Sequence, residues 1–179
     1  MAVSATIHKA VLQISDMDRN YYQNHPLTIA RHPSENEERM MVRLLAFIRH
    51  ADESLKFTKG ISTDDEPDIW LKSLSDEIEL WIELGQPDEK RIRKACGRSK
   101  EVYIYTYSGH SAELWWAQIT NKVSTIDNLH LYNLPIVQRH ELTQLAHKNM
   151  NLQSTIQDSE IWLSDGEQSV TVNLECWKE

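Results

Sequence analysis

Glu77-Ile78-Glu79-Leu80-Trp81-Ile82-Glu83-Leu84-Gly85-Gln86-Pro87, then Asp88 to Arg98, then Val102-Tyr103-Ile104-Tyr105-Thr106-Tyr107, is the stretch whose reading decides the fold. Residues 77–85 alternate: Ile78, Leu80, Ile82 and Leu84 share one face, and Glu79, Trp81 and Glu83 share the other, which is the period of a strand. Gly85-Gln86 ends it. Pro87 is predicted at the first turn of a helix to Arg98, where its missing N–H costs nothing, with Gly97 as the C-cap. From Lys100 to Tyr107 the period returns to two. Val102, Ile104 and Thr106 lie on one face, and Tyr103, Tyr105 and Tyr107 on the other, over which helix packing is expected. A helical spacing follows from Ser111 to about Lys122, then a short extended run from Leu129 to Leu134. Strand–helix–strand–helix–strand predicts parallel βαβ units.

Outward from that centre, the ends read as antiparallel. Thr6 to Asp18 and Tyr21 to His32 are expected to pair as a hairpin through Asp18-Arg19-Asn20. Pro33-Ser34-Glu35-Asn36-Glu37 starts a helix to about His50, with Ser34 as N-cap and Glu37 as its capping-box partner. Met40, Met41, Leu44, Leu45, Phe47 and Ile48 form its apolar stripe, and Glu38 and Arg43 are placed away from the stripe's centre. Short strands are predicted at Asp68 to Lys72, Leu152 to Gln157, Glu160 to Leu163 and Gln168 to Leu174, with Asp165-Gly166 a turn between the last two. A further helix is expected from Pro135 to about Asn149. The fold class is mixed α/β, in one domain spanning residues 1–179.

Composition narrows the function classes. The chain has 19 Lys and Arg against 27 Asp and Glu, for a formal net charge of -8. A surface tuned throughout to polyanions is excluded, because nucleic-acid binding draws on a basic field; a local basic groove is not. Cys96 and Cys176 form no CxxC pair and no metal knuckle, and Cys96 is expected as a free buried thiol. No uninterrupted apolar run reaches the length of a membrane span, and the N-terminus lacks the pattern of a secretory signal. The expectation is a soluble cytoplasmic protein with no membrane partner.

The chemistry-bearing constellation is Pro67-Asp68, then Glu83, then the helix with Lys90, Arg91, Arg93 and Lys94. If the two strands pair, Asp68 and Glu83 reach the same sheet edge. Two neighbouring carboxylates repel unless a cation or a shared proton compensates, and an all-oxygen set of this kind suits Mg²⁺ or Mn²⁺. The helix after Glu83 packs through Ile92 and Ala95, so Glu83 is expected at a partly enclosed edge, where an unpaired charge is costly.

The run from Trp81 to Ala95, with Pro67-Asp68 before it, Val102 to Tyr107 after it and Trp162-Leu163-Ser164-Asp165-Gly166 near the end, resembles the bacterial YaeQ family over essentially the whole chain. The resemblance implies a divergent branch of the PD-(D/E)xK superfamily, with a restriction-endonuclease-like mixed sheet flanked by helices and extra antiparallel strands from both termini. It implies that Asp68 is the acid of the PD element and Glu83 the second acid, fifteen residues on. The motif lysine would stand at Gly85, so Lys94 or Arg91, and next Lys90, are the candidates to replace it. Glu38 is the candidate third acid.

Two function classes follow. One is Mg²⁺-dependent phosphodiester hydrolysis on nucleic acid, with Asp68 and Glu83 holding the ion, Lys94 or Arg91 stabilising the phosphate, and the backbone lying along Lys90-Arg91-Arg93-Lys94. The other is a non-enzymatic module that kept the fold to bind a protein or a nucleic acid. A third, single-strand stacking on Trp115 and Trp116, competes with the expectation that these rings fill the core. His140 and His147 have no Cys or Asp to complete a zinc set, and Ser108-Gly109-His110-Ser111 reads as a turn before a helix.

Overall fold

The computed structural model describes residues 4–59 and 64–179. Its elements are β1 (Thr6–Asp16), β2 (Tyr21–Arg31), α1 (Glu37–Arg49), β3 (Leu55–Phe57), β4 (Ile69–Lys72), β5 (Ile78–Leu84), α2 (Glu89–Arg98), β6 (Ser99–Thr106), α3 (His110–Val123), β7 (Leu129–Asn133), α4 (Ile136–Thr143), β8 (Asn149–Gln157), β9 (Glu160–Ser164), β10 (Ser169–Val172) and β11 (Glu175–Lys178). They fall into two compact units, Met1–Ala51 with Val137–Leu174, and Asp52–Ile136 with Glu175–Glu179.

The first unit is built on a five-stranded sheet of order β10-β9-β8-β1-β2. In β1, Ala10, Leu12 and Ile14 are buried while Ile7 and Val11 are exposed, so the alternation of the sequence is the alternation of faces. The expected hairpin forms, from Thr6↔Arg31 to Asp16↔Tyr21, and turns through Asn20 at φ 54, a left-handed conformation that Asn tolerates. Against the other edge of β1 lies β8, and that pairing is parallel, from Lys9↔Asn149 to Asp16↔Ile156. The two ends of the fold are therefore not purely antiparallel.

Helix α1 starts two residues later than the capping-box reading. Asn36, not Ser34, is the N-cap, its side chain accepting from the Arg39 N–H at 2.9 Å, while Ser34 is engaged with His32 in the preceding turn. Every residue from Met40 to Ile48 is buried, Arg43 included at 4% exposure, which corrects its placement away from the stripe. A buried guanidinium needs a counter-charge. Glu35 supplies it, receiving Arg43 Nη2 at 2.8 Å and Arg39 Nη1 at 3.2 Å, and Arg43 also donates to the Ala30 carbonyl. Helix α4 ends at Thr143 rather than near Asn149, because the Leu145 and Ala146 amides bond three residues back and tighten the last turn.

The second unit carries a six-stranded sheet of order β11-β7-β6-β5-β4-β3. As the period changes required, β5, β6 and β7 are parallel and linked by α2 and α3, whereas β3, β4 and β5 form an antiparallel meander. Three-residue β3 and C-terminal β11 are strands that the sequence reading did not anticipate. The core joins Trp81, Val102, Ile104, Leu129 and Leu131 of the sheet to Ile92 and Ala95 of α2 and Ile119 and Val123 of α3. Helices α2 and α3 thus pack over the Val102–Ile104 face, while on the opposite face Tyr105 is itself buried. Along the tyrosine face Tyr103 stacks on His130 at 4.5 Å and Tyr105 on Tyr132 at 6.0 Å.

Local chemistry explains the remaining boundaries. Asp88 is the N-cap of α2, its carboxylate accepting from the Arg91 N–H at 2.8 Å, so Pro87 lies outside the helix. Gly97 lies within α2 and Ser99 is the C-cap, at φ -132 and ψ 157. The chain passes straight into an extended β6 and needs no left-handed residue there. Trp115 and Trp116 are half-buried against the core: Trp115 Nε1 donates to the Pro87 carbonyl at 3.0 Å and Trp116 stacks on Trp177. Both cysteines are free, and burial pushes the half-buried Cys96 thiol up to about 11, which removes it as a nucleophile near neutrality. No helix among the described residues is long and apolar enough to cross a membrane.

Gly109 caps α3 at φ 62 and ψ -125, and a Cβ there would collide with Ile136 Cδ1 and meet Cγ1 at 2.9 Å. Gly109→Ala is expected to lower stability by about 1–3 kcal/mol, from a backbone region closed to L-residues plus displacement of Ile136. A urea titration that leaves the midpoint unchanged would contradict this reading.

Candidate acid–base site at the end of β5

Asp68 immediately precedes β4 and Glu83 is the penultimate residue of β5. The two strands are antiparallel neighbours, and the Asp68 amide donates to the Ile82 carbonyl at 3.0 Å. Asp68 Oδ2 in turn accepts the Leu84 amide at 2.9 Å. Both side chains are enclosed, at 4% exposure for Asp68 and 8% for Glu83. The sequence expectation of two carboxylates at one enclosed edge is met in this respect.

Glu83 is held from two sides. Arg91 Nε, from the first turn of α2, donates to Oε1 at 2.7 Å, and Trp81 Nε1 donates to Oε2 at 2.9 Å. Trp81 and Glu83 are two residues apart on a strand and so share a face, a spacing visible in the sequence. Burial pushes the Glu83 carboxyl above its ordinary range, opposed by the Arg91 hydrogen bond, and the Asp68 charge adds to the upward shift. The Trp81 hydrogen bond opposes the upward shift as well.

Arg91 is itself anchored at several points. Nη1 donates to the Asp64 carbonyl at 3.1 Å and Nη2 to the Glu66 carbonyl at 2.9 Å. A guanidinium presents its donors in a fixed fork, so one side chain clamps the segment before β4 onto the end of β5.

Of the other basic candidates, Lys94 does not join Glu83. Its Nζ lies 2.6 Å from Asp65 Oδ1, and this contact holds the Asp65 carboxyl below its usual range. Arg93 pairs with Glu89 at 2.9 Å and donates to the Lys122 carbonyl, and Arg98 donates to the Asp65 carbonyl at 3.1 Å. Lys90 is exposed. Glu38 belongs to α1 of the first unit, where its carboxylate lies 3.6 Å from Arg139. The acidic run 64–66 is thus the counter-surface of the basic helix.

Among the described residues no group of three or more His, Cys, Asp or Glu is arranged to hold a metal ion. Two carboxylates can serve Mg²⁺ when waters and phosphate oxygens complete its octahedron. Here, however, each Glu83 oxygen already accepts a strong donor, and the space beside it is closed by Pro87, Ile92, Ala95 and Ile104. The donor set as arranged does not fit a divalent ion.

Comparison with known proteins places these observations in a lineage. The family described as YaeQ protein matches residues 1–174. The YaeQ protein of Salmonella typhi is 47% identical over 179 residues, covering 100% of this chain and 99% of that protein, and the YaeQ protein of Escherichia coli is 48% identical over the same coverage. The crystal structure of YaeQ from Xanthomonas axonopodis pv. citri superposes with a TM-score of 0.94 at 45% identity, covering 98% of this chain and 99% of that one. YaeQ from Pseudomonas syringae gives 0.93 at 31% identity, covering 98% and 97%.

Proposed function

The chain belongs to the YaeQ family, and from that premise we propose that it is a non-catalytic, cytoplasmic protein-binding module on a PD-(D/E)xK, restriction-endonuclease-like frame. In this reading the Asp68–Glu83 acid pair has become an internal fastening. The observation that carries it is the double engagement of Glu83, by Arg91 at 2.7 Å and Trp81 at 2.9 Å. An entering ion would displace a guanidinium that is also held by the Asp64 and Glu66 carbonyls and leave that cation without its buried partner, which is costly. Gly85 at the motif lysine position supports the same reading. So does the pairing of Arg91, Arg93, Lys94 and Arg98 with groups of this chain, which withdraws the basic helix from a phosphate backbone. A protein partner is therefore favoured over nucleic acid.

The second reading is Mg²⁺- or Mn²⁺-dependent phosphodiester hydrolysis at Asp68 and Glu83. The proximity of the two carboxylates favours it: after burial, the Asp68 charge also pushes the Glu83 carboxyl up.

Thermal melts under Mg²⁺ and Mn²⁺ titration, on wild type, Asp68→Ala and Glu83→Gln, distinguish the two, together with cleavage assays on labelled single- and double-stranded oligonucleotides. The expected result is no stabilisation that depends on either carboxylate, and no cleavage. Saturable stabilisation of the wild type, reaching about 2.7 kcal/mol at a hundredfold excess over Kd and absent from both variants, would overturn the non-catalytic reading.

A further inference from the structure

The outward face of the five-stranded sheet carries a pattern that no role of the acid pair absorbs. Strand register aligns its side chains into transverse rows. Trp162 of β9 faces Thr155 of β8, Thr155 faces Ser15 of β1, and Ser15 faces Tyr22 of β2. One pleat along, Gln153 faces Gln13, and Gln13 faces Asn24. An aromatic ring therefore stands at each end of a hydroxyl row, about 14 Å apart by three inter-strand spacings, and a row of amides runs beside it.

Both rings are open to solvent, Tyr22 at 53% and Trp162 at 37% exposure, and Gln13, Asn24 and Gln153 are exposed. Beside Tyr22 lies a groove of about 450 Å³ lined by Gln13, Ile14, Ser15, Tyr22, Gln23 and Asn24, of which Gln13, Ser15, Tyr22 and Asn24 stand on this face. These rows carry no charge at all. On the rest of the face defined by β1, β8 and β9 the charged positions are Lys9 and Glu160, in a chain of which 26% is Asp, Glu, Lys or Arg.

From this arrangement we propose that the outward face of the first unit is a binding site for a neutral oligosaccharide chain. An amide offers a donor and an acceptor side by side, the complement of adjacent hydroxyls on a sugar ring. Tyr and Trp pair a broad apolar face with a polar tip, which suits the C–H face of the same ring. The uncharged rows decide against a phosphate-bearing chain, because a nucleic acid takes its affinity from Lys and Arg placed along its backbone. They also let a ligand cover the face without stripping water from ions. Successive strands twist by about 20–25°, so the platform fits one twisted chain in solution rather than the flat surface of a crystalline polymer. The site is independent of the reading of Asp68 and Glu83, which lie in the other unit.

Affinity electrophoresis through gels containing laminarin, hydroxyethylcellulose, galactomannan or dextran, with heparin and poly(U) as charged controls, tests the proposal on the full chain. The expected result is retardation by at least one neutral polymer, insensitive to salt, and weakened roughly tenfold in Trp162→Ala and in Tyr22→Ala. Both positions are exposed, so circular dichroism is expected to show the variants folded. Three outcomes would overturn the site: no retardation by any neutral polymer, retardation unchanged in both variants, or preferential retention by poly(U) or heparin. A concentration-dependent dimer that dissociates in Trp162→Ala, seen by light scattering, would assign the face to a second copy of the chain instead.

Discussion

Arg91→Ala is expected to lower stability by about 3 kcal/mol at pH 7, the cost of leaving a buried carboxylate without its cation. For a chain of this size that corresponds to a fall of about 6–12 °C in Tm. The sign of the pH dependence follows from Glu83. Its carboxyl is raised in the folded state from the ordinary 4.5, so its contribution is fully present below 4.5 and declines as pH rises through the raised folded value. Removing Arg91 removes the strongest opposition to the shift and leaves only the Trp81 hydrogen bond, so the carboxyl rises further. The deficit of the variant is therefore smaller at pH 5 than at pH 7. A second variant separates charge from geometry. Arg91→Lys keeps the cation but cannot span Glu83 and the Asp64 and Glu66 carbonyls together, and it is expected to recover less than half of the loss. Equal Tm values for wild type and Arg91→Ala at pH 7 would remove the fastening role assigned to this pair.

The comparable change in the first unit is Glu35→Ala. Glu35 receives both Arg39 and Arg43, and the Glu35–Arg43 pair is almost wholly enclosed, with side-chain exposures of 2% and 5%. Truncation removes this counter-charge from the buried Arg43, at a cost of about 3–5 kcal/mol. Glu35→Gln keeps an oxygen acceptor for one guanidinium and is expected to cost roughly half as much. The urea midpoint is the readout, and an Ala variant within about 0.5 kcal/mol of wild type would show that Arg43 is held by its other contacts.

Period was the most legible feature of this sequence. Ile78 to Leu84 and Val102 to Thr106 alternate because each strand presents two faces, and the helical spacing between them forces the parallel crossover that the structure shows. Pairing between distant strands leaves no such trace. Nothing in residues 9–16 announces that β8, rather than another strand, lies alongside, and β3 and β11 are too short to display a period at all. Caps failed for a different reason. Ser34 and Asn36 are both competent N-caps, and only the turn that engages Ser34 with His32 decides between them.

The candidate site was legible to the same extent and no further. Asp68 and Glu83 could be placed at one sheet edge because both positions follow from strand boundaries. Which base would reach Glu83 depended on where α2 begins. Taking Pro87 as the first helical residue leaves the phase of the helix uncertain by two positions. With Asp88 as the cap, Arg91 occupies the first turn beside β5 and Lys94, three residues on, reaches Asp65. The Trp81 N–H as a donor to Glu83 was not foreseen, because an aromatic on a strand is ordinarily read by its ring face and area.

The parallel seam between β1 and β8 has a consequence for the nascent chain. During synthesis the N-terminal hairpin emerges first, but Lys9 to Asp16 must wait for residues 149–156 before the sheet around them can close. The intervening residues 52–136 supply five of the six strands of their own sheet, with mostly short-range connections that favour rapid formation. The ribosome thus delivers the middle of the protein as the earliest unit able to assemble. The hairpin made first meanwhile holds an open backbone edge to the surrounding milieu. Slowing translation between codons 52 and 148 is expected to lengthen that exposure and to raise the demand for chaperones.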